Sequence, residues 1–334
     1  MNAPAVLEFR LLNEFQRDFP LLPRPFAVIA ERLGGTEGEV IETLSRLRDR
    51  GTVSRIGAVI APRSVGASTL AALVAPADQL ERIAGLVNSH PEVNHNYQRE
   101  HRYNLWFVAT AQDQAALAET LRRIEAETGC SVLRLPLLEE FHIDLGFDLA
   151  GTGEARGAAR APRELPHLED WSEPERRLLR ALQDGLELLP RPYGRLALRA
   201  GLSEEQVLEL LANWLAKGFV KRFGVVVRHH ELGYAANAMC VWDVADGEVA
   251  ALGARLAAEP AVTLCYRRAR ARQAWDWPYN LFCMIHGRNR AEVETEIAAL
   301  CARHALAAYP QAVLFSVRRF KQRGAHYLHD ASHA

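Results

Sequence analysis

Between Asn94 and Trp106 the chain reads Asn-His-Asn-Tyr-Gln-Arg-Glu-His-Arg-Tyr-Asn-Leu-Trp. Extended backbone points every second side chain to one face. His95 and Tyr97 therefore share a face, and Arg99, His101 and Tyr103 continue the odd-numbered series into the following turn. Imidazoles exchange protons near neutral pH, and a guanidinium fork grips a carboxylate through two parallel hydrogen bonds. The plain alternative is a polar hairpin in solvent, but such a hairpin would more naturally use Lys, Glu, Ser and Gly than His and aromatic residues.

A second segment holds Cys265, Tyr266, Arg267, Arg268, Arg270, Arg272, Trp275, Trp277 and Tyr279. Arginines interleaved with large rings suit a flat anionic ligand, the rings stacking and the guanidinium groups binding carboxylates. A single-stranded nucleic-acid platform uses the same residue types, although one turn is small for it. Cys265 has no second thiol nearby in sequence and reads as a small apolar residue. Arg24 and Arg191 each sit between two prolines that fix the local backbone. They are presented either to a ligand or to their own domain. His142, just after a strand, has Lys321 as its counterpart and is a further candidate.

The two segments correspond because the chain is a tandem repeat. Leu21-Leu-Pro-Arg24-Pro-Phe26 recurs as Leu188-Leu-Pro-Arg191-Pro-Tyr193. Gly51-Thr-Val-Ser-Arg-Ile-Gly57 recurs as Gly218-Phe-Val-Lys-Arg-Phe-Gly224. Over Leu21–Ile60, 17 of 40 positions are identical at a constant offset of 167. Farther on, Tyr97 matches Tyr266 and Tyr103-Asn-Leu matches Tyr279-Asn-Leu. The second copy carries seven extra residues between its two tyrosines, so the halves have diverged, one keeping His and the other Arg and Trp.

Each copy opens with helices. In the first, Thr36 and Glu39 form a capping-box pattern before an apolar face of Val40, Ile41, Leu44 and Leu47, and Val53–Ile60 follows as a β wing. Ser203 caps the matching helix of the second copy, whose inner face is Val207, Leu208, Leu211 and Trp214. Each copy then alternates in the order β-α-β-β-α-β. The first copy shows it at 69–74, 78–88, 93–97, 103–109, 115–128 and 131–138. The second shows it at 235–244, 248–258, 262–267, 279–286, 291–304 and 312–318. The expected fold is α+β, a tandem duplication of a winged helix-turn-helix plus a ferredoxin-like domain. The domains are winged helix 1–62, ferredoxin-like 63–150, a Gly/Ala/Pro-rich linker 151–170, winged helix 171–229 and ferredoxin-like 230–330.

Composition removes several function classes. With 334 residues the chain exceeds one ordinary core. Its apolar runs are too short to span a bilayer, and the N-terminus lacks a signal-peptide pattern, so the default compartment is the cytoplasm. Five cysteines with no CxxC pair argue against a disulfide framework, a zinc ribbon or a standard iron–sulfur site. A net charge of −1 gives no strong attraction to nucleic acid. Three lysines against 37 arginines reflect either a GC-rich genome or the use of arginine on carboxylates.

A winged helix joined to a ferredoxin-like domain resembles the Lrp/AsnC transcription regulators, whose third helix enters the major groove. Here those helices begin Thr36-Glu-Gly-Glu-Val-Ile-Glu42 and Ser203-Glu-Glu-Gln-Val-Leu-Glu209. Their first turns would set carboxylates against phosphates, so DNA is not an expected partner.

His-Asn-Tyr-x-Arg-Glu-His-x-Tyr-Asn-Leu-Trp-Phe at 95–107 resembles one subunit type of the siroheme decarboxylases. Cys-Tyr-Arg-Arg…Trp-Pro-Tyr-Asn-Leu-Phe-Cys-Met-Ile-His-Gly at 265–287 resembles the other. The Leu-Pro-Arg-Pro turns and the Phe-His-Ile-Asp-Leu-Gly-Phe tail at 141–147 match as well. The resemblance covers nearly the whole chain and implies the fused form of these Lrp/AsnC-like enzymes, used by denitrifying bacteria to make haem d1. It implies loss of carbon dioxide from the acetates at ring positions 12 and 18 of siroheme, giving 12,18-didecarboxysiroheme. The only iron would enter with the substrate, and no further cofactor or metal site is implied.

On that resemblance His95 and His101 carry the proton-donor and orienting roles, with axial contact to iron as a further use. Arg99, Arg267, Arg268, Arg270 and Arg272 hold spectator carboxylates. Tyr97, Tyr103, Tyr266, Tyr279, Trp277, His142, Arg24 and Arg191 complete the substrate-binding set. The expected partners are siroheme and, beyond the internal pseudo-dimer, a second copy or related decarboxylase subunits, with no membrane. A DNA-binding regulator and a non-catalytic tetrapyrrole carrier are the competing readings.

Overall fold

The computed structural model describes residues 3–61, 64–143, 171–228 and 236–324. The expected linker, Asp144–Phe147 of the matching tail and the start of the second ferredoxin-like domain lie outside them. The first copy contains α1 (Ala3–Glu14), α2 (Pro25–Leu33), α3 (Glu37–Asp49), β1 (Val53–Ile60), β2 (Ala67–Leu73), α4 (Leu80–Ser89), β3 (Val93–Arg99), β4 (Leu105–Ala111), α5 (Gln114–Thr128) and β5 (Leu133–Ile143). The second contains α6 (Glu173–Leu182), α7 (Pro192–Ala200), α8 (Glu204–Ala216), β6 (Val220–Val227), β7 (Ala236–Trp242), α9 (Val249–Ala257), β8 (Val262–Arg268), the short α10 (Arg272–Trp275), β9 (Leu281–Gly287), α11 (Arg290–His304) and β10 (Gln311–Gln322). The chain forms two compact units, and each draws on both copies.

The first unit holds the helix-turn-helix segments. Pro25 and Pro192 start α2 and α7 at positions where a missing N–H is harmless. Gly34 and Gly201 end these helices in the left-handed region. Thr36 with Glu39, and Ser203 with Gln206, close capping boxes on α3 and α8. The strand expected as a wing in each copy pairs with its counterpart instead. β1 and β6 make one antiparallel two-stranded sheet with Gly57 opposite Gly224. Gly224 is required there, because a Cβ would lie 2.4 Å from the Phe15 carbonyl.

The second unit holds both ferredoxin-like domains, and their strands close into one barrel ordered β10-β3-β4-β2-β5-β8-β9-β7. The closure comes from strand exchange. Residues 133–136 of β5 pair with β2 of their own copy, and residues 137–143 pair with β8 of the other. Likewise 311–315 of β10 pair with β7, and 316–322 pair with β3. A register shift falls at each changeover, between Leu137 and Glu139 and between Ser316 and Arg318. Both strands therefore outrun their expected ends, because each one continues as the edge partner of the other copy.

Three layers of core follow. One apolar cluster lies between the first copy's strands and α4 and α5, and a second lies between the second copy's strands and α9 and α11. The third fills the barrel with residues of both copies, including Tyr103, Trp106, Tyr266, Trp277, Phe282 and Leu314. No described helix is long and apolar enough to cross a membrane.

Candidate functional site

Strand β3 presents two different faces. Val93 joins the core under α4, and Asn96 donates to Asn88 Oδ1 at 3.0 Å. His95 and Tyr97 stand opposite Val108 and Trp106 of β4, two residues of the barrel filling. Cross-strand partners share a face, so His95 and Tyr97 point inward. Their rings stack with centroids 6.1 Å apart, and the Arg99 guanidinium lies 5.7 Å from the Tyr97 ring centre.

Arg99 is 7% exposed. Its Nη1 donates to the Leu314 carbonyl at 3.0 Å and to Asn237 Oδ1 at 3.4 Å, and Nη2 lies 4.0 Å from Met284 Sδ. Arg268, at the matching end of β8, donates to the Leu135 carbonyl at 2.7 Å and covers the Tyr266 ring at 4.6 Å. Among the described residues neither guanidinium has a carboxylate partner. Burial pushes both pKa values down, with Tyr266 opposing the shift at each and Tyr97 also at Arg99. Both arginines thus address the tyrosines of one barrel interior.

The other three arginines of the second segment are differently placed. Arg267 pairs with Asp246 at 2.6 Å. Arg270 pairs with Asp243 at 3.0 Å and Asp246 at 2.8 Å. Arg272 donates to both oxygens of Asp243, at 2.7 and 2.6 Å. These pairs tie the β8–β9 connection to the loop after β7. In the other unit, Arg24 pairs with Glu37 and Arg191 with Glu204.

His101 lies in the β3–β4 turn. The Tyr103 backbone N–H donates to its Nδ1 at 3.1 Å, and its ring stacks on Tyr103 at 5.8 Å. Trp277, fully buried in the seven-residue insertion, meets it edge-to-face at 5.5 Å. The insertion also grips this turn directly. The Tyr103 hydroxyl donates to the Trp275 carbonyl, Arg102 Nη2 donates to that carbonyl at 2.6 Å, and Arg102 Nη1 pairs with Asp276 at 3.2 Å. Burial, and then the charge of Arg102, hold the His101 pKa below its ordinary value. Tyr279 packs edge-to-face on Trp277 at 4.9 Å. Its pKa is raised by burial and then by Asp276 and Asp243.

His142 is half-buried on β5, opposite Cys265 of β8. Its counterpart Lys321 donates to the Asn88 and His90 carbonyls at 2.6 and 3.0 Å, at the C-terminal end of α4. Cys265 faces the helix-side core, with its Sγ 3.4 Å from Cys283 Sγ. Among the described residues no group of three or more His, Cys, Asp or Glu side chains could hold a metal ion.

The barrel therefore brings together His95, Tyr97, Arg99, Tyr266 and Arg268 on its inner faces, and His101, Tyr103, Trp277 and Tyr279 at the hairpin end. Sequence reasoning missed Arg102 and Asp276, which join the two turns, and Asn237 and Met284, which receive Arg99. The composition of the insertion was the available signal for the first pair. Nothing in the sequence pointed to the second, because it depends on β10 crossing between copies. Chemically, the arrangement offers one buried and one half-buried cation for carboxylates, Arg99 and Arg268, aromatic walls for a flat ring and two imidazoles within one fold unit.

The family model for a siroheme decarboxylase NirDL-like HTH domain matches residues 8–53 and 175–220, and that for an AsnC-like ligand binding domain matches 65–142 and 231–321. The siroheme decarboxylase NirDL subunit of Paracoccus denitrificans is 50% identical over 319 residues, covering 96% of each chain. The NirD subunit of Pseudomonas aeruginosa is 50% identical over 143 residues, covering 43% of this chain and 95% of its own. A crystal structure of the siroheme decarboxylase NirDL with an iron-uroporphyrin III analogue aligns with a TM-score of 0.66 and 28% identity, over 97% of this chain and 94% of that one.

Proposed function

The chain belongs to the siroheme decarboxylase family, and from that membership we infer that it is a carboxy-lyase acting on siroheme, an iron tetrapyrrole. The observation that carries this to the chain's own residues is the pair Arg99 and Arg268. Arg99 is buried and Arg268 half-buried, a guanidinium withdrawn from water without a counter-ion is costly, and a substrate bearing many carboxylates supplies what both lack. The groups removed in our proposal are the acetates at ring positions 12 and 18.

In each step the bond between the acetate methylene and its carboxylate breaks. Carbon dioxide leaves, and the electron pair stays on the methylene, delocalised into the macrocycle. One proton then joins that carbon to make a methyl group, so no outside oxidant or reductant is needed. His95 and His101 divide the proton-donor and orienting roles. Tyr97, Tyr103, Tyr266, Tyr279 and Trp277 form the walls, and His142 lies on the strand that borders Tyr266. Arg99 and Arg268 take spectator carboxylates. Arg267, Arg270 and Arg272 hold the insertion in place. Arg24 and Arg191 serve their own helix-turn-helix segments, where Glu37 and Glu204 engage them. The iron enters with the substrate. The Pseudomonas aeruginosa NirD subunit matches 43% of this chain, so the chain is long enough to hold two such subunits in tandem.

The test is anaerobic incubation of the purified chain with siroheme and mass analysis of the extracted tetrapyrrole. Loss of two carbon dioxide units is expected. Binding with unchanged mass would replace the enzyme with a carrier. Neither binding nor mass change would overturn the tetrapyrrole reading. A regulator is disfavoured by the first turns of α3 and α8, which carry Glu37, Glu39, Glu204 and Glu205.

A further inference from the structure

Resting on the decarboxylase reading, we propose that His101 acts as a neutral hydrogen-bond donor through Nε2, holding the reacting acetate, and is neither the proton donor nor a ligand to iron. The assignment follows from its Nδ1. That nitrogen accepts the Tyr103 N–H at 3.1 Å, so it presents a lone pair and the ring proton of the neutral form sits on Nε2. Forming an imidazolium would place a second N–H against the Tyr103 N–H. Binding iron through Nε2 would require the proton to move to Nδ1 and meet the same obstacle. Binding iron through Nδ1 is blocked by the hydrogen bond already there.

The turn is not free to relieve this. Tyr103 is 4% exposed and is held by its hydroxyl to the Trp275 carbonyl. Arg102 Nη2 donates to the Tyr103 hydroxyl at 2.9 Å, and its Nη1 pairs with Asp276. The imidazole is sandwiched in place by the Tyr103 ring and the Trp277 edge. Every one of these outside contacts comes from the insertion of the second copy. The divergence of the repeat thus fixes the tautomer of a histidine in the first copy. The burial and neighbouring Arg102 charge that lower the His101 pKa act in the same direction. The proton that makes the methyl group then falls to His95, whose imidazolium would give it to the methylene and regain one from solvent.

The side-chain amide of Gln places an N–H near the position of imidazole Nε2 but delivers no proton. Single-turnover decarboxylation is measured for His101→Gln, His101→Ala, His95→Gln and His95→Ala. The absorption spectrum of bound ferric siroheme is recorded for each. His101→Gln should stay within about tenfold of the parent and His101→Ala should lose about a hundredfold or more, as for a lost oxyanion donor. His95→Gln should fall as far as His95→Ala. The iron spectrum should be unchanged in both His101 variants. Equal loss in His101→Gln and His101→Ala, or a changed spin state on removing His101, overturns the proposal. Long-range proton–nitrogen NMR of histidine-labelled parent protein reads the tautomer without turnover. An Nδ1–H or doubly protonated His101 at pH 7 also overturns it. If the parent binds siroheme without turnover, the decarboxylase reading fails instead, and the tautomer result still stands or falls on its own.

Discussion

Arg99 and Arg268 occupy the same place in the two copies, each donating to a carbonyl of the exchanged strand, Leu314 at 3.0 Å and Leu135 at 2.7 Å. Their backbone N–H groups also bond to matching asparagine carbonyls, Asn104 and Asn280, each at 2.9 Å. The barrel therefore carries two related cation sites at its two seams, and neither is neutralised by the described protein.

Such residues should trade stability for binding. Replacing a buried, uncompensated charge by an apolar side chain of similar length is neutral or stabilising. Losing a hydrogen bond to a charged group costs about 1.5–3 kcal/mol of binding. Arg99→Met and Arg268→Met should each keep or raise the melting temperature of the substrate-free protein. Each should weaken siroheme binding about tenfold to a hundredfold in an absorbance titration. Arg122→Met, which removes an exposed ion pair with Glu119 on α5, should alter both quantities little. A lowered melting temperature with unchanged affinity would make Arg99 and Arg268 structural.

The pH response of stability follows from His101. Its folded-state pKa lies below the ordinary 6.5 because of burial and then Arg102. Between those two values the unfolded chain binds a proton that the folded chain refuses. By linkage the stabilisation is complete above about pH 6.5 and is lost as pH falls below it. His101→Gln removes the titrating group. Melting curves from pH 7.5 to 5 should show the parent losing stability relative to His101→Gln on acidification, and parallel curves would contradict this.

Much of the inner face of β3 was legible because alternation is a local property. His95 and Tyr97 follow from period two, and the repeat aligns Tyr97 with Tyr266. The strand exchange was not legible. Leu137–Ile143 and Ser316–Gln322 alternate in the same way whichever edge they pair with, and only tertiary closure chooses the other copy. The arginines show the same limit. Sequence counts Arg267, Arg268, Arg270 and Arg272 as equivalent cations. Only the approach of Asp243 and Asp246 separates the three that are paired from Arg268, which covers Tyr266 instead.

The thiols should divide by depth. Cys240, Cys265 and Cys283 are fully buried in the core under α9 and α11, while Cys130 and Cys301 are partly exposed. Burial raises the pKa values of Cys240, Cys283 and Cys301, and of these three only Cys301 is also partly exposed to reagent. Ellman's reagent should therefore react with Cys130 and Cys301 in the native protein and reach the other three only in denaturant. Fast reaction of all five in the native state would place the second copy's core in contact with solvent.

The strand exchange makes its own prediction through Gly253. The exchanged end of β5 lays Phe141 of the first copy on α9 of the second, where a Cβ on Gly253 would lie 2.2 Å from the Phe141 ring. Gly253→Ala must push that ring out of its place, and overpacking of this kind costs about 1–3 kcal/mol. The better helix propensity of alanine offsets up to about 1 kcal/mol of it. Gly85 in α4 has nothing within 4 Å of the same position, so Gly85→Ala collects the propensity gain alone. Thermal unfolding should show Gly253→Ala melting a few degrees below the parent and Gly85→Ala slightly above it. Because Phe141 belongs to the segment that closes the barrel, Gly253→Ala should also speed hydrogen exchange of the β5–β8 backbone amides and leave the β2–β4 pairing protected. Faster exchange in both sheets would show that Phe141 anchors the whole unit rather than the seam.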